Sequence, residues 1–243
     1  MKLAVLAVLV LAPACTTKKD FDPIGGGSGG GGPGGGSPDA ARSDGAALAI
    51  DANTFSGRVC LTSDPSNLTT CASAGAGGLT VRLGSGTTTT ADDGSFVIAA
   101  QAGSSLVWVV TGGAIVTSYK PLTDFQIPAI KAAAFDTLKM NNSIVILPGQ
   151  GSVMLSIIKN GAGLAGTKAS ANPPSTYEPR YDGTGTASWS QIATGPHGTA
   201  WAPGINVGGA AVTVTPPAPS AVVTTPSLPV FDGAITFATV VIP

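Results

Sequence analysis

From Ala47 onward the chain is a succession of short runs rich in Val, Ile, Thr and Leu, each cut off by Gly, Asp, Asn or Pro. Breakers at that spacing leave little room for long amphipathic helices and favour antiparallel strands stacked in sandwiches. Composition narrows the choice in the same direction. Charged residues make up 10% of the chain, against about 25% in ordinary globular domains. Its 34 glycines in 243 residues are about twice the usual share. Such a chain is built for strands and turns, and the fold class expected is all-β.

The strands can be followed individually. Phe55 to Thr62 alternates apolar and polar residues, and Leu79 to Leu83 does so again. Gly84-Ser85-Gly86 then turns the chain into Thr87 to Ala91. Asp92-Asp93-Gly94 makes a tight turn into Ser95 to Ala99, because aspartate accepts local backbone hydrogen bonds and glycine tolerates positive φ. Ser105 to Thr111, Gly112-Gly113 and Ala114 to Tyr119 read as a further hairpin. The helical candidate is Ala129 to Met140, where Ile130, Ala133, Ala134 and Leu138 would share a face; a strand pair crossing the gap is the alternative. A fainter copy of the strand order follows in Ser152 to Lys159, the turn Asn160 to Gly163, Leu164 to Ala169, Thr194 to Trp201 and Gly208 to Val214.

The order Ser56-Gly57-Arg58-Val59, Gly78 to Leu83 and Thr90-Ala91-Asp92-Asp93-Gly94-Ser95-Phe96 resembles the carboxypeptidase regulatory-like domain, a transthyretin-like sandwich that is also similar to collagen-adhesin B-type repeats. The resemblance implies two tandem Ig/transthyretin-like antiparallel sandwiches, the first over 51–148 and a divergent second over 149–243. The alternative is one larger sandwich with a long crossing connection. In carboxypeptidases this domain accompanies a separate zinc catalytic domain, which this chain does not contain, so the resemblance implies a binding or scaffold role. Collagen-adhesin relatives can carry a lysine to asparagine cross-link. Lys159 or Lys168 would be the lysine, but the final strand, Ile235 to Val240, offers no asparagine.

The N-terminus addresses location. Lys2 precedes an apolar run from Leu3 to Ala12, about ten residues and too short to span a bilayer, and small Ala12 and Ala14 flank Pro13 before Cys15. This resembles the signal of a bacterial lipoprotein. It implies that Cys15 is acylated and becomes the mature N-terminus, with a membrane as partner through fatty chains worth about 0.8 kcal/mol per buried methylene. Ala12 stands where that family usually has leucine, with Leu11 one step early. Ala12-Pro13-Ala14 also suits the ordinary signal peptidase, which would release a periplasmic or secreted protein with a free Cys15. Thr16, and not Asp, follows the cysteine, which by resemblance to enterobacterial sorting implies the outer membrane. Residues 1–15 are thus expected as signal and 16–50 as a disordered Gly-rich linker, whose 35 or so residues would span about 30 to 35 Å as a flexible coil.

Chemistry is sparse. In an oxidising compartment Cys60 and Cys71 are expected to pair, closing a loop of about twelve residues worth about 3 kcal/mol and pinning Leu61 to Thr70 as a surface excursion. As metal ligands they fail, since the sole histidine, His197, is far away in sequence and completes no zinc set. No cofactor is expected. A formal net charge of −1 provides no basic surface for phosphates, so nucleic acid is excluded as a partner. His197 lies in a Gly-Pro-His-Gly turn without a Gly-x-Ser-x-Gly elbow. Asp92 and Asp93 point to opposite sides, and Asp92, Asp93 and Asp182 lack calcium-loop spacing. The chain is therefore read as a non-enzyme.

The remaining candidates are aromatic. Trp189 alternates into the core, whereas Tyr177, Tyr181, His197 and Trp201, partly in Pro- and Gly-rich loops, are the candidate binding residues, suited to stacking on a sugar or anchoring a protein. Core packing is the competing fate of each. The function expected is a non-catalytic, lipid-anchored cell-envelope binding or scaffold module with a protein or glycan partner. Its rivals are a carbohydrate-binding surface lipoprotein using Tyr177 and Tyr181, and a secreted hydrolase using His197.

Overall fold

The computed structural model describes residues 53–243 apart from 73–74 and 101–105. The expected signal, Cys15 and the linker lie outside the described residues. In chain order the strands are β1 (Asn53–Thr62), β2 (Thr80–Leu83), β3 (Gly86–Thr89), β4 (Ser95–Ala100), β5 (Val107–Thr111), β6 (Ser118–Pro121) and β7 (Gln126–Ile130). Helix α1 (Ala132–Asn141) follows. Then come β8 (Gln150–Lys159), β9 (Ala162–Gly163), β10 (Lys168–Asn172), β11 (Arg180–Tyr181), β12 (Thr199–Asn206), β13 (Gly208–Thr215), β14 (Val223–Thr224), β15 (Leu228–Val230) and β16 (Ile235–Val241). The all-β reading holds, with one short helix among the described residues.

The strands form sandwiches that share a sheet. A nine-stranded sheet runs β11-β12-β8-β16-β6-β5-β2-β3, with β9 on β8, while β4-β1-β7 and β10-β13-β14, joined by β15, make smaller layers. The last strand, β16, lies between the halves and runs parallel to both neighbours, β8 and β6. Parallel partners need long connections, so nothing local to Ile235–Val241 announces this place.

In the first half the β4-β1-β7 layer packs on β2 and β5, joining Val59, Phe96, Ile98 and Ile127 to Val81, Leu83, Trp108 and Val110. In the second half Val212, Val214, Leu228 and Val230 pack on Val153, Leu155, Ile157 and Ala202. These cores occupy opposite faces of the shared sheet. Lys120 is paired with Trp108, whose side chain lies in the first core, and its neighbour Tyr119 is paired with Thr236. The Thr236 hydroxyl donates to the Pro229 carbonyl on β15, in the layer over the second core. A third core continues the first core's face into the second half, where Ile130, Phe135, Leu138 and Trp189 cover Met154, Trp201, Ile235 and Phe237. Strand β8 is consequently covered on both faces, which explains its near-continuous apolar run.

Local signals account for much of this. At Gly57 a Cβ would come within 2.5 Å of the Phe96 ring and 2.6 Å of the Phe125 carbonyl, so β1 crosses β4 closely only with glycine there. Gly94 takes φ of +85° in the turn where Asp93 accepts the Ser95 N–H at 2.9 Å. The helical alternative at 129–140 is the one observed, shifted: Ile130 belongs to β7, and the buried face is Phe135 and Leu138. Alanines at the start supply strong helix propensity. The helix stops at Asn142, whose Nδ2 donates to the Leu138 carbonyl and whose Oδ1 accepts the Trp189 N–H.

The disulfide Cys60–Cys71 is present, with its Cα atoms 4.5 Å apart. Its loop is not the surface excursion expected. Ser66 is 0% and Leu68 4% exposed, Leu68 sits in the third core, and the Thr199 hydroxyl donates to the Ser66 carbonyl at 2.7 Å. The loop folds inward because the second half presents an apolar face beside it.

Candidate functional site

Where β6 and β16 meet, the shared sheet forks. The two strands pair at Ser118 with Ile235 and Tyr119 with Thr236, then part, while β16 stays paired with β8 through Val241. A cleft of about 500 Å³ opens in the fork. Its floor is Ser156, Ile158, Phe237 and Thr239; across it stand the disulfide-loop residues Leu68 and Thr69 together with Lys120, Asp124, Phe125, Gln126 and Pro128.

The polar side of the cleft is built around Lys120. Strand alternation turns this lysine inward with Ser118, leaving its side chain 5% exposed. Its Nζ donates to Asp124 Oδ1 at 2.6 Å and to the Gln126 carbonyl at 2.7 Å. Burial holds the ammonium's pKa below the usual lysine value, against the opposing pull of Asp124. Asp124 also accepts the Gln126 N–H at 3.0 Å, and its carbonyl accepts the Trp108 Nε1–H at 3.1 Å. The Gln126 side-chain amide donates to both disulfide sulfurs, so bridge, loop and lysine form one connected wall. Arg58 adds a second cation and donates Nε to the Asp93 carbonyl at 2.8 Å. These groups hold one another in place, and the arrangement can bind a molecule in a shaped slot.

The sequence-predicted binding residues are elsewhere, and they do not converge on an exposed face. Trp201 is 0% exposed in the third core, where it meets Phe135 and Trp189 edge-on. Tyr181 is 6% exposed in the second-half core; its hydroxyl bonds the backbone of Ala169, and burial raises its pKa above the usual tyrosine value. Tyr177 is half-buried against the third core and bonds the backbone of Val145 at both N–H and C=O. His197 is half-buried in its turn. Core packing thus takes Trp201 and Tyr181, which correct the expectation of loop anchors: alternation along β12 and β11 points them inward. Trp189 is interior, as its alternation indicated.

Sequence reasoning missed Lys120 and Asp182. The signal for Lys120 was its phase with Ser118 in a four-residue strand. Asp182, considered above only for calcium, is 3% exposed and accepts the backbone N–H groups of Gly195, His197 and Thr199 at 2.6, 3.1 and 3.2 Å. It organises the turn that carries His197. Among the described residues no cluster of three His, Cys, Asp or Glu groups could hold a metal.

The sequence matches no protein-family profile and no curated protein. Among solved structures, the fold shows a likeness to two streptococcal pilins. One is a minor pilin of Streptococcus agalactiae, with TM-score 0.26 and 8% identity over 78% of this chain and 94% of that one. The other is a streptococcal ancillary pilin, with TM-score 0.24 and 11% identity over 78% of this chain and 69% of that one.

Proposed function

We propose that this chain is a non-catalytic binding or scaffold module of a bacterial cell envelope, anchored to the outer membrane by acylated Cys15, with the forked cleft as its ligand site. The observation that carries the binding role is that cleft. At about 500 Å³ it has the size of ordinary ligand pockets. Its lysine and carboxylate are bonded to each other and to the Gln126 backbone, and the Gln126 side-chain amide is bonded to the disulfide, which keeps a site in shape. The anchor rests on the short apolar run, the small residues before Cys15 and the glycine-rich stretch after it.

Two measurements test the reading. Intact mass of the mature protein from a membrane fraction should show a diacyl or triacyl Cys15 at the N-terminus; an unmodified cysteine, or retained residues 1 to 14, refutes the anchor. Blocking the cleft with Ser156→Arg should remove the envelope partner captured by the unaltered protein, while the double change Tyr177→Ala and His197→Ala should not. Capture insensitive to S156R refutes the cleft as the site.

A further inference from the structure

The fork leaves part of a strand edge without a partner. Backbone groups in a strand face its two neighbours alternately. On β16 the Ile235 N–H donates to the Thr117 carbonyl beyond β6, and the Ile242 N–H donates to the Ile158 carbonyl on β8, so odd-numbered residues face β6 and even-numbered ones β8. After the Tyr119–Thr236 pairing β6 turns away. The carbonyl of Phe237, both backbone groups of Thr239 and the N–H of Val241 therefore face the cleft, with no strand opposite them among the described residues. Phe237, Ala238 and Thr239 line that cleft, and Val241, further along the same strand, is 62% exposed.

A row of alternating donors and acceptors beside a slot is met by another extended backbone, which offers the same alternation at the same spacing; a sugar or a compact ligand does not. Charge narrows the partner further. The ionisable groups lining the slot are Arg58, Lys120 and Asp124, two cations against one carboxylate. Lys120 is already committed to Asp124. Arg58 donates its Nε to the Asp93 carbonyl and feels the exposed Asp93 carboxylate nearby, but makes no salt bridge to it among the described residues. We propose that β16 takes an extended, acidic polypeptide segment as an added strand in the fork, through the backbone groups of Phe237, Thr239 and Val241, with a carboxylate of that segment drawn to Arg58. This rests on the cleft being the ligand site and names the class of ligand.

The probe is a displayed library of random hexapeptides, selected on the full mature chain and then synthesised. Enriched peptides should carry Asp or Glu, and N-methylation at alternate residues should weaken binding by about tenfold per lost hydrogen bond while methylation between them is tolerated. Arg58→Gln should weaken binding several-fold and reduce its salt sensitivity. Thr239→Pro, which removes an edge N–H at a position where a strand tolerates proline, should abolish binding with an unchanged urea midpoint; should T239P unfold, the methylated series on the unaltered protein decides. Equal tolerance of N-methylation at every position, or no enrichment of any peptide, overturns the proposal. If S156R removes capture of an envelope glycan while no hexapeptide binds, the cleft stands as the ligand site and strand addition fails. If peptides bind but S156R leaves their affinity unchanged, the cleft assignment fails with it.

Discussion

A carboxylate taken out of water is destabilising unless its oxygens are bonded, and Asp182 meets that condition with three backbone N–H groups. Its removal orphans those donors together. Asp182→Ala is expected to lower unfolding free energy by about 2 to 4 kcal/mol, measured by urea denaturation, and Asp182→Asn by clearly less, because an amide oxygen still accepts. Equal loss in both variants would mean that charge, and not hydrogen-bond acceptance, holds the turn. Lys120 is the counterpart in the first half, a buried cation tolerated because Asp124 and the Gln126 carbonyl complete its shell. Neither role was readable from neighbouring sequence. A lone aspartate after a tyrosine and a lysine before a proline become informative only when it is known which way the strand faces.

Among the elements, the disulfide loop departs most from expectation. As a surface excursion its bridge would matter through chain entropy alone. Instead the bridge holds Leu68 in the third core and Ser66 against Thr199, so two halves of the chain depend on it. Replacing both Cys60 and Cys71 by serine should lower stability by about 3 kcal/mol, read by urea denaturation, and should speed amide exchange in β12 as well as in β1. Exchange confined to β1 and its loop would return the segment to a purely local role. Helix α1 shows a different limit. The shared-face spacing offered a helix with a strand pair as its alternative, and the register was not legible at all, since Ile130 fits the helical face on paper and is taken instead by β7 through the parallel pairing with β1.

For the whole molecule, β16 is the decisive strand. It brings Ile235 and Phe237 to the third core and Val240 to the second, each buried apolar side chain contributing about 1.5 to 3 kcal/mol. A chain ending at Pro148 loses β8 and β16 together and bares Ile130, Phe135 and Leu138 on one side and the edge of β6 on the other. It should show no cooperative thermal transition and should associate on concentration, measured by calorimetry and sedimentation. Cooperative unfolding of that monomeric fragment would mean that the shared sheet adds little to the first half's own core.

What sequence by itself determined is the local layer: β1 to β5 from alternation and glycine-bounded turns, the Asp93–Gly94 reversal, the Cys60–Cys71 pairing and the all-β class. Each depends on interactions among residues near one another in the chain or on the chemistry of one residue type. The tertiary structure alone decided that Ile235 lies beside Ser118 and Ser152, that Trp201 and Tyr181 are interior, and that a cleft opens where β6 leaves β16. Those facts turn on which strands become neighbours across nearly half the chain, and short, tolerant apolar runs carry no label for their partners, because burial belongs to the assembled pair of faces and not to either strand.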